Sequence, residues 1–177
     1  KDLENVVSDI LNFSRDTKVR FTSVKLSDII NEALEFFHDE LKGGRIEVLK
    51  EFDMEADDIS VDYQQIKQVF FNLFSNSLEA MKKEGRLVIK TYGLKYRGTP
   101  HVAIEVSDTG GGIPPEMVAN IFNPFFTTKE KGTGLGLAIV HRIVENHNGS
   151  IDVWNRPGDG VSFIIRLPRF NQDGNIN

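Results

Sequence analysis

The chain has 177 residues, of which 40% are hydrophobic and 27% are charged. This composition is typical of one globular domain with a packed core. The formal net charge of -5 argues against nucleic acid as the main partner, because a phosphate backbone requires a basic protein face. There are no cysteines, which excludes disulfides and thiolate metal sites, and we expect a reducing, cytoplasmic location.

The first predicted element is an amphipathic helix over residues 1–14. Its apolar residues recur at helical spacing in a narrow stripe: Leu3, Val6, Val7, Ile10 and Leu11. The stripe suits packing against another helix, although packing on its own domain would give the same pattern. After a polar connector, a second helix is predicted to begin with Ser27 as its N-cap and to end at Gly43 and Gly44.

Strands and one long helix are predicted for the middle of the chain. Alternating apolar residues indicate strands at 46–52, 87–91 and 102–106, of which the last two are expected to be antiparallel neighbours. Asp62 is expected to cap a helix that runs to about Glu84, where Gly85 stops it.

The last third of the chain begins with a long connection, residues 108–136, whose length and glycine content are typical of a functional loop. A helix over 137–148, strands at 150–155 and 161–167, and a frayed tail at 171–177 follow. These elements predict an α+β fold, a two-layer α/β sandwich. Helices would cover one face of a mixed, mostly antiparallel sheet.

The long helix carries a polar stripe beside its apolar face. The stripe contains Asn72, Asn76, Glu79 and Lys83, and the predicted core face contains Ile66, Val69, Phe70, Leu73, Ala80 and Met81. An Asn carbonyl oxygen is a suitable protein ligand for Mg²⁺, which prefers oxygen and keeps waters and phosphates as its other ligands. A solvated helix face is the alternative interpretation of the stripe.

Two segments of the long connection contain candidate ligand-binding residues. Asp108 follows a strand directly and could accept a hydrogen bond from an exocyclic amine, with Gly110 and Gly112 letting a flat ligand approach. A plain glycine turn is the alternative. The segment 122–129 is too apolar for a solvated loop, and it ends in hydroxyls and a cation that could contact phosphates.

The third candidate segment is glycine-rich and leads into the last helix. Gly132, Gly134 and Gly136 leave backbone N–H groups open beside a helix N-terminus, which favours a polyphosphate. The dinucleotide-binding fingerprint and the Walker pattern are both absent.

Together with the Gly158–Asp159–Gly160 turn, these segments occur in one fixed order. The order resembles the N, G1, F, G2 and G3 boxes of the histidine kinase catalytic domain, a Bergerat-fold ATPase that carries a flexible ATP lid. The resemblance covers about residues 22–169. The segment Leu11–Asn12–Phe13–Ser14 also resembles the end of the second helix of the dimerisation domain in such kinases.

This resemblance implies ATP and Mg²⁺ as cofactors, with catalytic positions at Asn72 and Asn76. Asn76 is implied to bind the metal, and Asn72 to line the phosphate side. Asp108 is implied to accept from the adenine amino group. The pocket around adenine is implied to contain Gly110, Gly112 and Ile113, and Ser162 through a water molecule. The implied phosphate and lid residues are Thr127, Thr128, Lys129, Gly132, Thr133, Gly134, Leu135, Gly136 and Leu137.

The residue four positions before Asn76 separates two hypotheses. Relatives that hydrolyse ATP place a Glu there as a general base, whereas this chain has Asn72. This favours a kinase that transfers the γ-phosphoryl group to a histidine over a module whose ATP state drives assembly. Many members have a Lys shortly after the magnesium Asn. This chain has Glu79 and Ala80, and Lys82 or Lys83 is left as a substitute.

The resemblance implies three parts: a stub of the dimerisation helix with a linker at 1–20, the catalytic domain at 21–170 and a flexible tail at 171–177. None of the four histidines has an acceptor context, so the acceptor is expected on a dimerisation domain outside this chain. The expected partners are ATP or ADP, that domain and, indirectly, a response regulator. We expect a monomeric fragment of a homodimeric parent, and a membrane-anchored parent is compatible with the sequence.

Overall fold

The computed structural model describes residues 18–129 and 132–169. The helix predicted at 1–14 and the tail predicted at 171–177 lie outside these ranges. Within them, no helix combines the length and the apolar character that crossing a bilayer requires.

The described part of the chain contains both strands and helices. The strands are β1 (Thr22–Lys25), β2 (Arg45–Phe52), β3 (Asp58–Val61), β4 (Glu84–Tyr96), β5 (Thr99–Asp108), β6 (Ser150–Arg156) and β7 (Gly160–Pro168). The α-helices are α1 (Leu26–Glu35), α2 (His38–Gly43), α3 (Tyr63–Met81) and α4 (Gly136–Asn146).

Five of these strands form a mixed sheet in the order β2-β4-β5-β7-β6. Strand β2 runs parallel to β4, with Val48 opposite Leu87, and the other neighbours are antiparallel. The predicted mixed, mostly antiparallel sheet is therefore confirmed. Strands β1 and β3 form a separate antiparallel pair, which the sequence did not predict because both strands are only four residues long.

The core lies between one face of the sheet and the helices. Alternate strand residues point into it, including Leu87, Ile89, Ile104, Val106, Phe163 and Ile165, and they meet the buried faces of α1, α3 and α4. The opposite face carries charged residues such as Lys90 and Glu105, and Trp154 is 67% exposed there. The predicted two-layer sandwich is confirmed.

The second predicted helix differs from the structure at both ends. The N-cap of α1 is Lys25, and Ser27 lies inside the helix, where its N–H and hydroxyl both donate to Asp57 at 2.7 Å. The predicted Ser27 cap is wrong because a tertiary partner uses its hydroxyl. The helix is also interrupted before His38, so that α2 is a separate short helix.

The start of α3 is as predicted, but its end comes earlier. Asp62 is the N-cap and accepts a hydrogen bond from the Gln65 N–H at 3.1 Å. The helix ends at Met81, because Lys82 adopts a positive φ of 62° and the next residues join β4. Lys83 therefore lies beyond the polar stripe on which it was predicted.

Candidate functional site

Asp108 ends strand β5 with its side chain directed toward α3. The residue is 3% exposed, and its carboxylate accepts hydrogen bonds from the Ser77 hydroxyl at 2.8 Å and from the Gly110 N–H at 2.9 Å. Burial raises the pKa of the Asp108 carboxyl, while the bonds from Gly110, Ser77 and the Val161 N–H oppose that rise. The result is a fixed, buried acceptor at the edge of the helix layer.

The loop after Asp108 is held against the turn between β6 and β7. The Ile113 N–H donates to Asn155 Oδ1 at 2.7 Å, and the Gly158 N–H donates to the Gly111 carbonyl at 2.7 Å. Gly112 packs closely on the same turn, since a Cβ there would lie 2.8 Å from the Arg156 carbonyl oxygen. The loop is thus shaped by backbone contacts that only small residues allow.

Gly160 makes the closest approach of all to the Asp108 strand end. A Cβ at Gly160 would lie 1.8 Å from the Asp108 carbonyl oxygen, and its φ is +140°. A side chain here would push apart the strand end that carries the acceptor.

The polar stripe of α3 faces the glycine-rich loops. Asn72 Nδ2 donates to the Gly136 carbonyl at 3.3 Å, which ties α3 to the first turn of α4. One turn later, Asn76 Oδ1 accepts from the Lys129 ammonium at 2.9 Å, and Lys129 also forms an ion pair with Glu79. The structure therefore brings both Asn residues of the stripe to the loops predicted to hold phosphates.

The N-terminus of α4 follows directly on the glycine-rich loop. The helix begins at Gly136 without a side-chain cap, so the N–H groups of its first turn have no partner within the helix. Gly134 lies against the preceding loop: the Phe125 N–H donates to its carbonyl at 3.0 Å, and its φ is +67°. Leu135 is buried, so it offers only its backbone to a ligand.

The end of strand β5, the glycine loop after it and the glycine loop before α4 thus all lie beside α3. This arrangement suits a flat base that bears an anionic tail. A family model, described as the histidine kinase-, DNA gyrase B- and HSP90-like ATPase, matches residues 61–171. The chain belongs to this ATPase family.

Relatives of this ATPase domain are sensor kinases. It is 36% identical over 166 residues to the sensor histidine kinase ZraS of Salmonella typhi. The aligned region covers 94% of this chain and 35% of that protein. The ATPase domain is 34% identical over 169 residues to sporulation kinase C of Bacillus subtilis, covering 95% of this chain and 39% of that protein. The chain therefore spans little more than a third of the length of these relatives.

Solved structures agree with this assignment. The ATPase domain matches the catalytic domain of histidine kinase ThkA with a TM-score of 0.75 and 36% identity, over 85% of this chain and 96% of that one. Full-length ShkA in complex with AMPPNP matches with a TM-score of 0.82 and 25% identity, over 94% of this chain and 36% of that one. The fold is that of a histidine kinase catalytic domain.

One predicted site residue of the ATPase domain is not brought to the others. Ser162 pairs with Ser107 across the sheet, and their hydroxyls are 2.7 Å apart on the face that carries Glu105 and Trp154. Asp108 pairs instead with Val161, whose N–H contacts its carboxylate. Ser162 therefore lies on the opposite face of the sheet from the Asp108 side chain, and its contact with adenine stays a prediction that this placement disfavours.

The predicted lid residues differ in what they reach. Lys129 contacts α3, whereas Thr127 accepts from the Lys129 N–H at 3.1 Å and Thr128 is exposed. Thr133 Oγ1 accepts from the Leu135 N–H at 3.4 Å, and Leu137 packs on the core. The Gly132 N–H donates a hydrogen bond to the Lys129 carbonyl at 3.2 Å.

Sequence reasoning missed two side chains of the site. Ser77 is 1% exposed and is the hydroxyl donor to Asp108, and Asn155 brackets the Ile113 backbone with both its amide atoms. Ser77 directly follows Asn76 on the helix, and a polar residue on an otherwise apolar face was the available signal. Asn155 gave a similar signal, because it continues the alternation of Ile151 and Val153 on the apolar side of the strand.

Proposed function

We propose that this domain binds Mg·ATP and transfers the γ-phosphoryl group to a histidine of a separate dimerisation domain, within a two-component signalling system. The observation that carries the proposal is the buried Asp108 acceptor, held by Ser77 from the same helix that presents Asn72 and Asn76 to the glycine loops. Helix α3 would thereby fix the position of the base-binding residue Asp108 relative to the residues that bind the phosphates.

The roles follow from the chemistry of each group. Asp108 can accept from the amino group of adenine, which guanine lacks at that position, so it selects the base. The first N–H groups of α4, which have no side-chain cap, and the loop around Gly134 would bind the phosphates. The Thr127–Lys129 segment would add hydroxyls and a cation on the same side.

The residues present also fit a magnesium ion. Asn76 Oδ1 already accepts from a cationic group, the Lys129 ammonium, and an amide oxygen is a ligand that Mg²⁺ accepts. When bound, the ion would neutralise charge on the phosphates during transfer.

Transfer to histidine is favoured over hydrolysis by the residue at position 72. Asn72 cannot act as a general base, and its amide is hydrogen-bonded to the Gly136 carbonyl at 3.3 Å. Water therefore lacks an activating group at that position, whereas a neutral imidazole is nucleophilic without one.

The acceptor histidine is proposed to lie outside this chain. His101 and His147 are buried, and His147 uses both ring nitrogens within the fold, to the Asp62 N–H and the Ile143 carbonyl. We propose that residues 1–20 are the end of the dimerisation helix and a linker, residues 21–170 the catalytic domain and residues 171–177 a tail. The parent would be a homodimer that passes the phosphoryl group to a response regulator. A solved complex of ThkA with the response regulator protein TrrA supports this kind of partner (TM-score 0.77, 34% identity, 94% of this chain and 47% of that one).

The test is calorimetric titration with a non-hydrolysable ATP analogue, with and without Mg²⁺, followed by phosphotransfer to a separately purified dimerisation domain. We expect binding in the micromolar range, about -8 kcal/mol, weaker binding without Mg²⁺, and phosphohistidine only on the added domain. Rapid phosphate release by the isolated chain, or the absence of any analogue binding, would overturn the proposal.

A further inference from the structure

The Lys129 ammonium bridges two oxygen-bearing side chains of α3. It donates to Asn76 Oδ1 at 2.9 Å and forms an ion pair with the Glu79 carboxylate. Asn76 and Glu79 are three residues apart, so their side chains are neighbours on one face of the helix. The two oxygens converge on one cation.

The oxygens of Asn76 and Glu79 are suited to bind a divalent metal ion as well as an ammonium group. They are one neutral amide oxygen and one anionic carboxylate oxygen, both of the hard type that Mg²⁺ binds. The side chains of Lys129 and Glu79 are 44% and 56% exposed. Solvent therefore reaches the ion pair, and another cation can replace the Lys129 ammonium.

Resting on the proposed function, we propose that Glu79 is a second protein oxygen for the magnesium ion and that Lys129 occupies this cation site when the metal is absent. Arrival of Mg·nucleotide displaces the ammonium from Asn76 and Glu79. Lys129 is then free to contact the phosphates from the loop. It would take the role for which the sequence offered Lys82 or Lys83, which follow the last residue of α3.

The charges decide the direction of each effect. Replacing the Glu79 carboxylate removes one negative charge from the cation site, which weakens the binding of a divalent ion. Replacing the Lys129 ammonium removes a competitor, which strengthens it. Because the pair is solvent-exposed, each effect is screened and should be about two- to fivefold.

The experiment measures the Mn²⁺ concentration that gives half-maximal metal binding to the protein saturated with a non-hydrolysable ATP analogue. Electron paramagnetic resonance of Mn²⁺, which replaces Mg²⁺ at such sites, reports the metal directly. The variants are Glu79→Gln, Lys129→Met and the double variant. The control is Lys95→Met, which removes an exposed lysine from strand β4 near the hairpin at the opposite end from Asp108.

We expect Glu79→Gln to raise the half-maximal concentration and Lys129→Met to lower it, each about two- to fivefold, with Lys95→Met unchanged. The Lys129→Met effect should shrink in the Glu79→Gln background, because the two act at one site. Unchanged metal affinity in Glu79→Gln or Lys129→Met, with nucleotide binding intact, would overturn this inference but not the proposed function. Failure of the wild type to bind the analogue would instead reject the proposed function.

Discussion

The hydrogen bond between Ser77 and Asp108 joins the long helix to the residue that we propose recognises the base. The Ser77 hydroxyl is 1% exposed and lies 2.8 Å from Asp108 Oδ2. Ser77→Ala would leave that carboxylate oxygen in the same buried position with one donor fewer. The substitution creates only a small change in volume, so its effect reports the hydrogen bond.

The expected loss follows from the charge on the acceptor. Hydrogen bonds to charged groups contribute about 1.5–3 kcal/mol to the free energy of unfolding. For a domain of this size, each kcal/mol shifts Tm by about 2–4 °C, so the variant should melt roughly 3–12 °C lower. The Ser77 bond also favours the ionised carboxylate, so its loss raises the pKa of Asp108 further.

Two assays separate these effects. Thermal unfolding gives the stability loss, and calorimetric titration with an ATP analogue at neutral and mildly acidic pH gives the affinity. The affinity of Ser77→Ala should fall at a higher pH than that of the wild type. Ser75→Ala is the control, because it removes a hydroxyl from a different side of the same helix. Wild-type affinity and pH dependence in Ser77→Ala would refute the role of this hydrogen bond.

Three further predictions concern the same framework. Burial raises the folded-state pKa of Asp108, so ionisation costs stability as pH rises from 3.8 through that pKa. Asp108→Asn should therefore compare better with the wild type in urea stability at neutral pH than at pH 3.8, because only the wild type has a carboxyl that ionises, while nucleotide binding falls. Burial lowers the pKa of His147, so the protein should lose stability as pH falls below 6.5 through that lowered value, and His147→Asn should flatten this acid limb in denaturant titrations. Gly160→Ala should cost more than about 3 kcal/mol in the free energy of unfolding, because its Cβ would meet the Asp108 carbonyl. Gly158→Ala, at a positive φ but in open space, should cost only about 1–2 kcal/mol.

The sequence alone was sufficient for the layers of the fold, and it named most of the residues that the structure brings together around α3. Periodicity located α3, the alternating strands and the helix after the glycine loop, because these elements each bury one face. The ordered glycine-rich segments, with Asp108 and the Asn72–Asn76 pair, indicated nucleotide binding. In the proposed function they would supply an acceptor for a base, amide oxygens for a metal ion and backbone N–H groups for phosphates.

Only the tertiary structure decided which neighbours each of these residues has. The parallel pairing of β2 with β4, the β1–β3 pair and the partner of Ser27 all depend on contacts between distant segments. Strand register placed Ser162 on the far face of the sheet, because a shift of one residue reverses the direction of a side chain. The bond from Ser77 to Asp108 and the bridge from Lys129 to α3 span 31 and 53 residues of chain, a separation at which local patterns carry no information.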